Sequence, residues 1–466
     1  MYRAVCEAPT RPETVQPIRF SAMNHKNENT TLVDVLPAGE DNPCVNNLPA
    51  VPKGNAAATI FLRGWYPDAP VPANRAVRQS WTARDEEQPL VPFPEHTRLL
   101  GQVTALVRRG YAHRNPLSPA FHATAHSALS SAAQGSDRHG HLWLRPELNV
   151  PGARPRGLLF VTPARMGRRV IAERIASFLG EEPIPLHVPT PTGSVHYIQI
   201  PVLRVLWPDG GAPAQFVTNF LGAFDRALGS HYSAAIRPSR FRLHEEALSI
   251  LSGFSIAANV GLIIVERING RDAGARAANG LWNLLGQFTR TTGIPILMMA
   301  TTAAASHLMR KTSAASELTA GGVLCMDPPS ATSQAYADLC TLAFQKTMKG
   351  QGPAPSWLVE TLAKKTHCRL ALVQKVCFQL GRSVGKADMS KAPHNLDTLI
   401  DEALYIEGPA LQSLTTLGDG RGFTVDGLRR FSDWLPTGHA PLLVPMPERM
   451  LVTSRAGLQF QKEDPK

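Results

Sequence analysis

No two cysteines of this chain stand as C-x-x-C, although six are present: Cys6, Cys44, Cys325, Cys340, Cys368 and Cys377. A disulfide framework uses closer, regular spacing in a shorter secreted chain, so six reduced thiols are expected. No apolar run approaches the ~18 residues that a spanning helix needs; residues 294–300 come nearest and fall far short. Met1-Tyr2-Arg3-Ala4-Val5-Cys6 leads into Glu7 and prolines, so no secretory leader and no membrane partner are expected, and the expected location is cytoplasmic. Charged residues make up only 18%, without a long lysine or acidic tract, and no internal repeat is visible.

What is present points to a folded, basic protein. The 466 residues allow about two or three domains. A hydrophobic fraction of 43% argues against wholesale disorder. Lys+Arg number 48 against 37 Asp+Glu, a net charge of +11 weighted toward arginine. That balance permits a polyanionic partner, nucleic acid before an acidic membrane, without requiring one.

Texture divides the chain. Residues 1–95 are rich in proline, asparagine and small polar residues, and read as a weakly ordered arm in which Trp65, Tyr66 and Trp81 could clip onto a body or partner. A connector spans 96–156. Leu99, Val103, Leu106 and Val107 recur there at helical spacing until Gly110, and 117–156 reads as loop-rich. Strand and helix patterns then alternate over 157–330: strands at 157–161, 195–200, 261–265 and 294–300, helices at 168–179, 215–228 and 277–290. Such alternation implies a parallel sheet covered by helices on both faces. Four helical stretches at 335–348, 355–364, 370–384 and 396–406 predict a small helical domain over 331–410. Residues 411–466 form a C-terminal segment and tail, with a short helix around 425–434.

The first strand–helix junction is where such a sheet would hold phosphate. It reads Thr162-Pro163-Ala164-Arg165-Met166-Gly167-Arg168-Arg169. Against G-x-x-x-x-G-K-[ST], Thr162 replaces the first glycine, Arg168 the lysine and Arg169 the magnesium-binding hydroxyl, while Pro163 removes an N–H. A later strand ends Leu262-Ile-Ile-Val-Glu266-Arg267, where Asp-Glu would supply a metal carboxylate and a base. Glu266 keeps a carboxylate, one methylene longer, whereas Arg267 cannot accept a proton. Thr301, after Met298-Met299-Ala300, could still bond a phosphate or water.

Four segments carry a family resemblance: Val107-Arg-Arg-Gly-Tyr-Ala-His-Arg-Asn-Pro116, Phe224-Asp-Arg-Ala-Leu-Gly-Ser-His-Tyr232, Gly261-Leu-Ile-Ile-Val-Glu-Arg-Ile-Asn269 and Thr292-Gly-Ile-Pro-Ile-Leu-Met-Met-Ala-Thr-Thr302. In order and spacing, residues 96–410 resemble the TnsC/TniB-type AAA+ transposition regulators. The resemblance implies a P-loop NTPase (AAA+) sheet followed by a helical lid. It also implies contact with duplex DNA, with a transposase and with a target selector, and self-association or co-assembly with a competent AAA+ paralogue, in a bacterial cytoplasm. The family's lysine, metal hydroxyl, Walker B aspartate and catalytic glutamate correspond to Arg168, Arg169, Glu266 and Arg267, so hydrolysis is not expected. ATP and magnesium enter only if the altered loop still binds, and pairing of Arg169 and Arg267 with Glu266 would close the site. Candidate DNA contacts are Arg237, Arg240, Arg242, Arg271, Arg276, Arg310 and Lys311.

Two other readings stay open. One is an ATP-binding switch that assembles on DNA and hydrolyses slowly; the other is a scaffold independent of nucleotide and DNA. His122-Ala-Thr-Ala-His126 lacks the glutamate and third ligand of a zinc protease site, and His367-Cys368 with Cys377 lacks metal spacing, so no metal site is expected. Gly418-Asp-Gly-Arg-Gly422 reads as a turn.

Overall fold

The computed structural model describes residues 41–62, 90–133, 148–190, 193–236, 244–348, 352–384, 392–418 and 430–439. In chain order the first elements are α1 (Pro43–Asn46), α2 (Asn55–Leu62), α3 (Pro94–Tyr111) and α4 (Pro119–Ala133). The core contains β1 (Gly157–Val161), α5 (Arg168–Leu179), β2 (Ile184–Thr190), β3 (Gly193–Gln199), β4 (Val202–Leu206), α6 (Pro213–Leu228), α7 (Tyr232–Ala235), α8 (His244–Ala257) and β5 (Leu262–Ile268). It continues through α9 (Gly270–Ala273), α10 (Ala278–Thr292), β6 (Ile296–Ala300), α11 (Thr302–Met309), α12 (Thr312–Leu318) and β7 (Val323–Cys325). The C-terminal part holds α13 (Gln334–Met348), α14 (Ser356–Thr366), α15 (Leu370–Val384), α16 (Leu396–Ala403) and α17 (Gly408–Gly418), then short 3-10 turns at Ser432–Trp434 and Thr437–His439.

Five strands form a parallel sheet in the order β4-β5-β6-β1-β7. Their apolar residues alternate between two cores, as the two-residue period of a strand requires. Leu158, Phe160, Leu262, Ile264, Leu297 and Met299 face the core built with α3, α5 and the C-terminal helices. Leu159, Val161, Ile263, Val265, Met298 and Ala300 face the core shared with α6, α8 and α10. Helices therefore cover both faces. With β6 between β1 and β5, the loop after β1 lies beside the ends of the acidic strand and of the threonine strand. This is a P-loop NTPase-type α/β fold with a helical C-terminal part: the alternating pattern leads one to expect the parallel sheet, and the family resemblance its P-loop type.

Several local expectations need correction. Residues 41–62 are not a loose arm: Cys44, Leu48 and Phe61 are buried in the first core. Arg108 on α3 reaches the carbonyls of Val45, Leu48 and Pro49, and Gln199 Nε2 donates to Cys44 O at 2.8 Å. Residues 1–40 and 63–89, with Trp65, Tyr66 and Trp81, lie outside the described residues. Residues 119–133, expected as loop, are helical. The strand expected at 195–200 does not join the main sheet; β2 and β3 pair antiparallel as a separate hairpin. In the main sheet β5 is flanked by β4 as well as β6, and β4, β7 and α8 have no counterpart among the expected elements. His122 sits on α4 against the Tyr197 ring, and no group of three or more possible metal ligands occurs among the described residues. Residues 419–429 and the tail from 440 lie outside the described residues, and with them most of Gly418–Gly422 and the first half of the helix expected around 425–434.

Candidate functional site: the altered phosphate loop

Strand β1 delivers the loop with its backbone already fixed. Thr162 N–H donates to Ala300 O at 3.1 Å, which ties the loop's first residue to β6. Arg165 (φ 67°) and Gly167 (φ 81°) take left-handed backbone, and Gly167 caps α5. At Gly167 glycine provides that conformation without strain. Met166 is fully buried in the core shared with α5, and the buried Thr162 Oγ1 has no hydrogen-bond partner.

The loop's polar groups are largely engaged by the rest of the chain. Ala164 N–H donates to Asp433 O at 2.7 Å. Arg369 Nη1 donates to Ala164 O at 2.7 Å, and Ala371 N–H to Arg165 O at 3.0 Å. The Arg165 guanidinium pairs with Glu407 at 2.8 Å, and Lys375 holds the other oxygen of that buried carboxylate at 2.7 Å. The C-terminal helices are thus bolted directly to the loop. Arg168 points its Nη1 toward Ile268 O at 3.5 Å. Burial pushes its pKa down to about 10, with Asp433 opposing the shift, so it stays charged at neutral pH.

The acidic strand is also engaged, though not as expected. Glu266 is buried and accepts from Arg204 Nε at 2.7 Å; Arg204 Nη2 also reaches Glu173 at 3.3 Å. Leu206 is the register partner of Glu266, so Arg204 stands diagonally across from it on the same face. Burial alone would lower the Arg204 pKa, but Glu266 and Glu173 outweigh it and raise it. Arg169 instead pairs with Glu173 one turn along α5 at 2.8 Å. Arg267 is exposed in left-handed backbone (φ 62°), where the β5–β6 register shifts between Val265 and Ile268. Neither arginine pairs with Glu266, because Arg204 reaches it first from the neighbouring strand.

Thr301 caps α11, accepting from Ala304 N–H at 3.2 Å, and its hydroxyl donates a short hydrogen bond to Asp433 Oδ1. The same oxygen accepts from Gly270 N–H at 2.8 Å. Around it, Thr302 Oγ1 donates to Leu435 O at 2.8 Å, and the Asp327 carboxylate accepts from Thr437 N–H and Oγ1, each at 2.6 Å. Arg369 donates to Trp434 O and lies 5.2 Å from the Trp434 ring centroid. Burial pushes the Arg369 pKa down to about 10, opposed by Asp327. Residues 162–169, 266–270, 301–302, 369 and 433–437 therefore form one connected site.

Several groups that a magnesium nucleotide would use in a loop of this kind are absent or engaged: residue 169 is an arginine, Glu266 accepts from Arg204, Pro163 has no N–H and the Ala164 N–H is bonded to Asp433 O. The residue after Glu266 is an arginine, which accepts no proton. The sequence named the loop and Thr301 as candidates; Arg204, Arg369 and Asp433, which the structure brings beside them, were not among them. A charge inside the apolar run Val202–Trp207 was a legible sign of a buried partner; Arg369 and Asp433 carried no comparable signal.

Of the expected DNA contacts, Arg237, Arg240 and Arg242 lie outside the described residues. Arg271, Arg276 and Arg310 are exposed and Lys311 is half-buried. Helices α9 and α11 pack together, and His307 Nε2 stands 2.6 Å from where a Gly274 Cβ would be. Burial lowers the His307 pKa, and the charges of Arg310 and Lys311 lower it further. Arg310 and Lys311 thus lie near His307, which itself stands beside Gly274, a residue between Arg271 and Arg276 in the sequence.

No family model matches the sequence, and no curated protein matches it. Among solved structures the chain is similar to a Walker-type ATPase of Pyrococcus abyssi, with 10% identity and a TM-score of 0.38 over 72% of this chain and 87% of that one. A likeness at this level adds nothing to the strand order and loop position that define the fold.

Proposed function

We propose that the chain is a DNA-associated adaptor built on a P-loop NTPase fold, of the TnsC/TniB transposition-regulator type, which does not hydrolyse ATP. In that role it links a target selector to a transposase, either alone or assembled with a competent AAA+ paralogue. One observation carries the loss of hydrolysis: the strand's carboxylate, Glu266, is held by Arg204, and its neighbour Arg267 is a cation that accepts no proton. The four matching segments, the net charge of +11 and the basic edge around α9 and α11 support the DNA role.

Duplex DNA titration at several salt concentrations, alongside a phosphate-release assay with magnesium ATP, tests the reading. Binding that weakens steeply with salt, shows little sequence preference and is accompanied by background-level phosphate release is expected. DNA-stimulated turnover would overturn the inactive assignment. Absence of DNA binding at low salt would leave the chain as a protein scaffold.

A further inference from the structure

We propose that the phosphate place of this fold is an oxyanion site whose resident ligand is the chain's own Asp433. The inference rests on the inactive reading above and assigns that site an internal occupant. Donors from three separate parts of the core converge on one residue. Ala164 N–H, from the altered loop, donates to the Asp433 main-chain oxygen at 2.7 Å. Gly270 N–H, just past the acidic strand, donates to Asp433 Oδ1 at 2.8 Å, and the Thr301 hydroxyl donates to that same oxygen. Arg168, whose Nη1 points to Ile268 O beside Gly270, adds a nearby positive charge that Asp433 favours without a direct bond to it.

A backbone N–H and a hydroxyl meet on one carboxylate oxygen, a second N–H holds the same residue's main-chain oxygen, and the Arg168 charge lies near enough for Asp433 to favour it, a setting that suits an oxyanion. A carboxylate fills it without magnesium, which accounts for the arginine at 169 and for the commitment of Glu266 elsewhere. The neighbouring residues make the occupant a bridge. Trp434 O receives Arg369 from the N-terminal end of α15, while Leu435 O receives Thr302 and Thr437 binds Asp327 of the core. The Arg369 guanidinium also holds Ala164 O. Residues 433–437 thereby join the sheet, the loop and the C-terminal helices through one set of hydrogen bonds, so the closed arrangement needs no bound nucleotide.

The test compares thermal unfolding of the full-length protein and of Asp433→Ala, each titrated with acetate, inorganic phosphate, tripolyphosphate and ATP with and without magnesium. The native chain should show no saturable stabilisation by any of them, because the place is taken. Asp433→Ala should melt lower and be stabilised by at least one oxyanion, with affinity roughly tenfold or more above that of the native chain. Adding Arg168→Ala to that variant should remove the gain, and magnesium should not improve it. Acetate as the best ligand would point to a carboxylate-sized place; tripolyphosphate would point to one retaining room for a phosphate chain. Equal stabilisation of native chain and variant, or no anion response in Asp433→Ala, would overturn the proposal. If that variant fails to fold, Asp433→Asn replaces it. Hydrogen exchange of the 430–439 peptide must then rise relative to the native chain, and unchanged protection would count against an anchoring carboxylate. DNA binding by the native chain is measured separately, so losing this proposal leaves the adaptor reading standing.

Discussion

At the scale of single residues, burial of ionisable groups sets the sharpest expectations. His96, fully buried on α3, accepts from Phe93 N–H through Nδ1 at 3.2 Å, while its Nε2 has no hydrogen-bond partner. Burial pushes its pKa down from 6.5 to about 3. Protonation therefore favours the unfolded chain. This contribution to stability is whole above about pH 6.5 and is lost as pH falls toward 3, at about 1.4 kcal/mol per pH unit. His113, His307 and His367 are lowered as well and act in the same direction. Urea midpoints should fall between pH 7 and pH 5, and His96→Phe should flatten that slope by close to one proton. An unchanged slope would mean that His96 keeps its ordinary value when folded. Arg369 is the second such residue. Arg369→Leu leaves Ala164 O and Trp434 O without their donor, at about 1–3 kcal/mol for each buried group. A loss below about 1 kcal/mol in equilibrium unfolding would show that the bridge is dispensable.

At the scale of elements, the two glycines flanking β1 and its loop separate packing from conformation. A Cβ at Gly157 would lie 2.2 Å from Leu318 O, a main-chain atom that cannot step aside without moving the end of α12. At Gly167 nothing lies within 4 Å, and the only penalty is the left-handed φ of 81°. Gly157→Ala should therefore cost more than the ~1–2 kcal/mol of strain expected for Gly167→Ala. Thermal unfolding of the pair checks the order. The same distinction explains what the sequence made legible. Apolar runs bounded by turns marked β1, β5 and β6, and apolar periodicity marked α5, α6, α10 and α15, because their cores are built from large side chains. Helix α4 has only Phe121 and Leu129 as large apolar residues among alanines and polar residues, so it resembled loop. Strand β4 carries Arg204 inside its apolar run, and β7 spans only Val323–Cys325, too short for a pattern. The hairpin β2–β3 alternates like a core strand although it pairs apart from the main sheet. At the site, a strand–turn–helix junction is local and could be read. Arg369 meets Ala164 across 205 positions and Asp433 meets Thr301 across 132, pairings that no spacing rule reports.

At the scale of the whole molecule, the proposed function makes the loop after β1 and the basic surface parts of one device. A nucleotide-driven switch couples DNA binding to a ligand that comes and goes. Here the bonds of Asp433, Arg369 and Glu407 hold loop and C-terminal helices together from within, so a basic edge beside that loop would stay presented. DNA affinity should accordingly be indifferent to added ATP and governed by charge. Arg271, Arg276 and Arg310 are the cleanest positions to alter, since all three are exposed, in or just after α9 and α11. Each phosphate that the protein no longer neutralises should make the dependence of log affinity on log salt shallower by about 0.9. Converting all three to glutamate should therefore remove up to about three units of slope, and their opposed charge should weaken binding further. Arg226→Glu, at the exposed last turn of α6, serves as the control for net charge alone. An equal effect from one copy of that control and from each edge position would mean that DNA responds to overall charge and that this edge is not its seat. A selective effect at 271, 276 and 310, unchanged by ATP, would place duplex DNA against the face that the internal bridge keeps fixed.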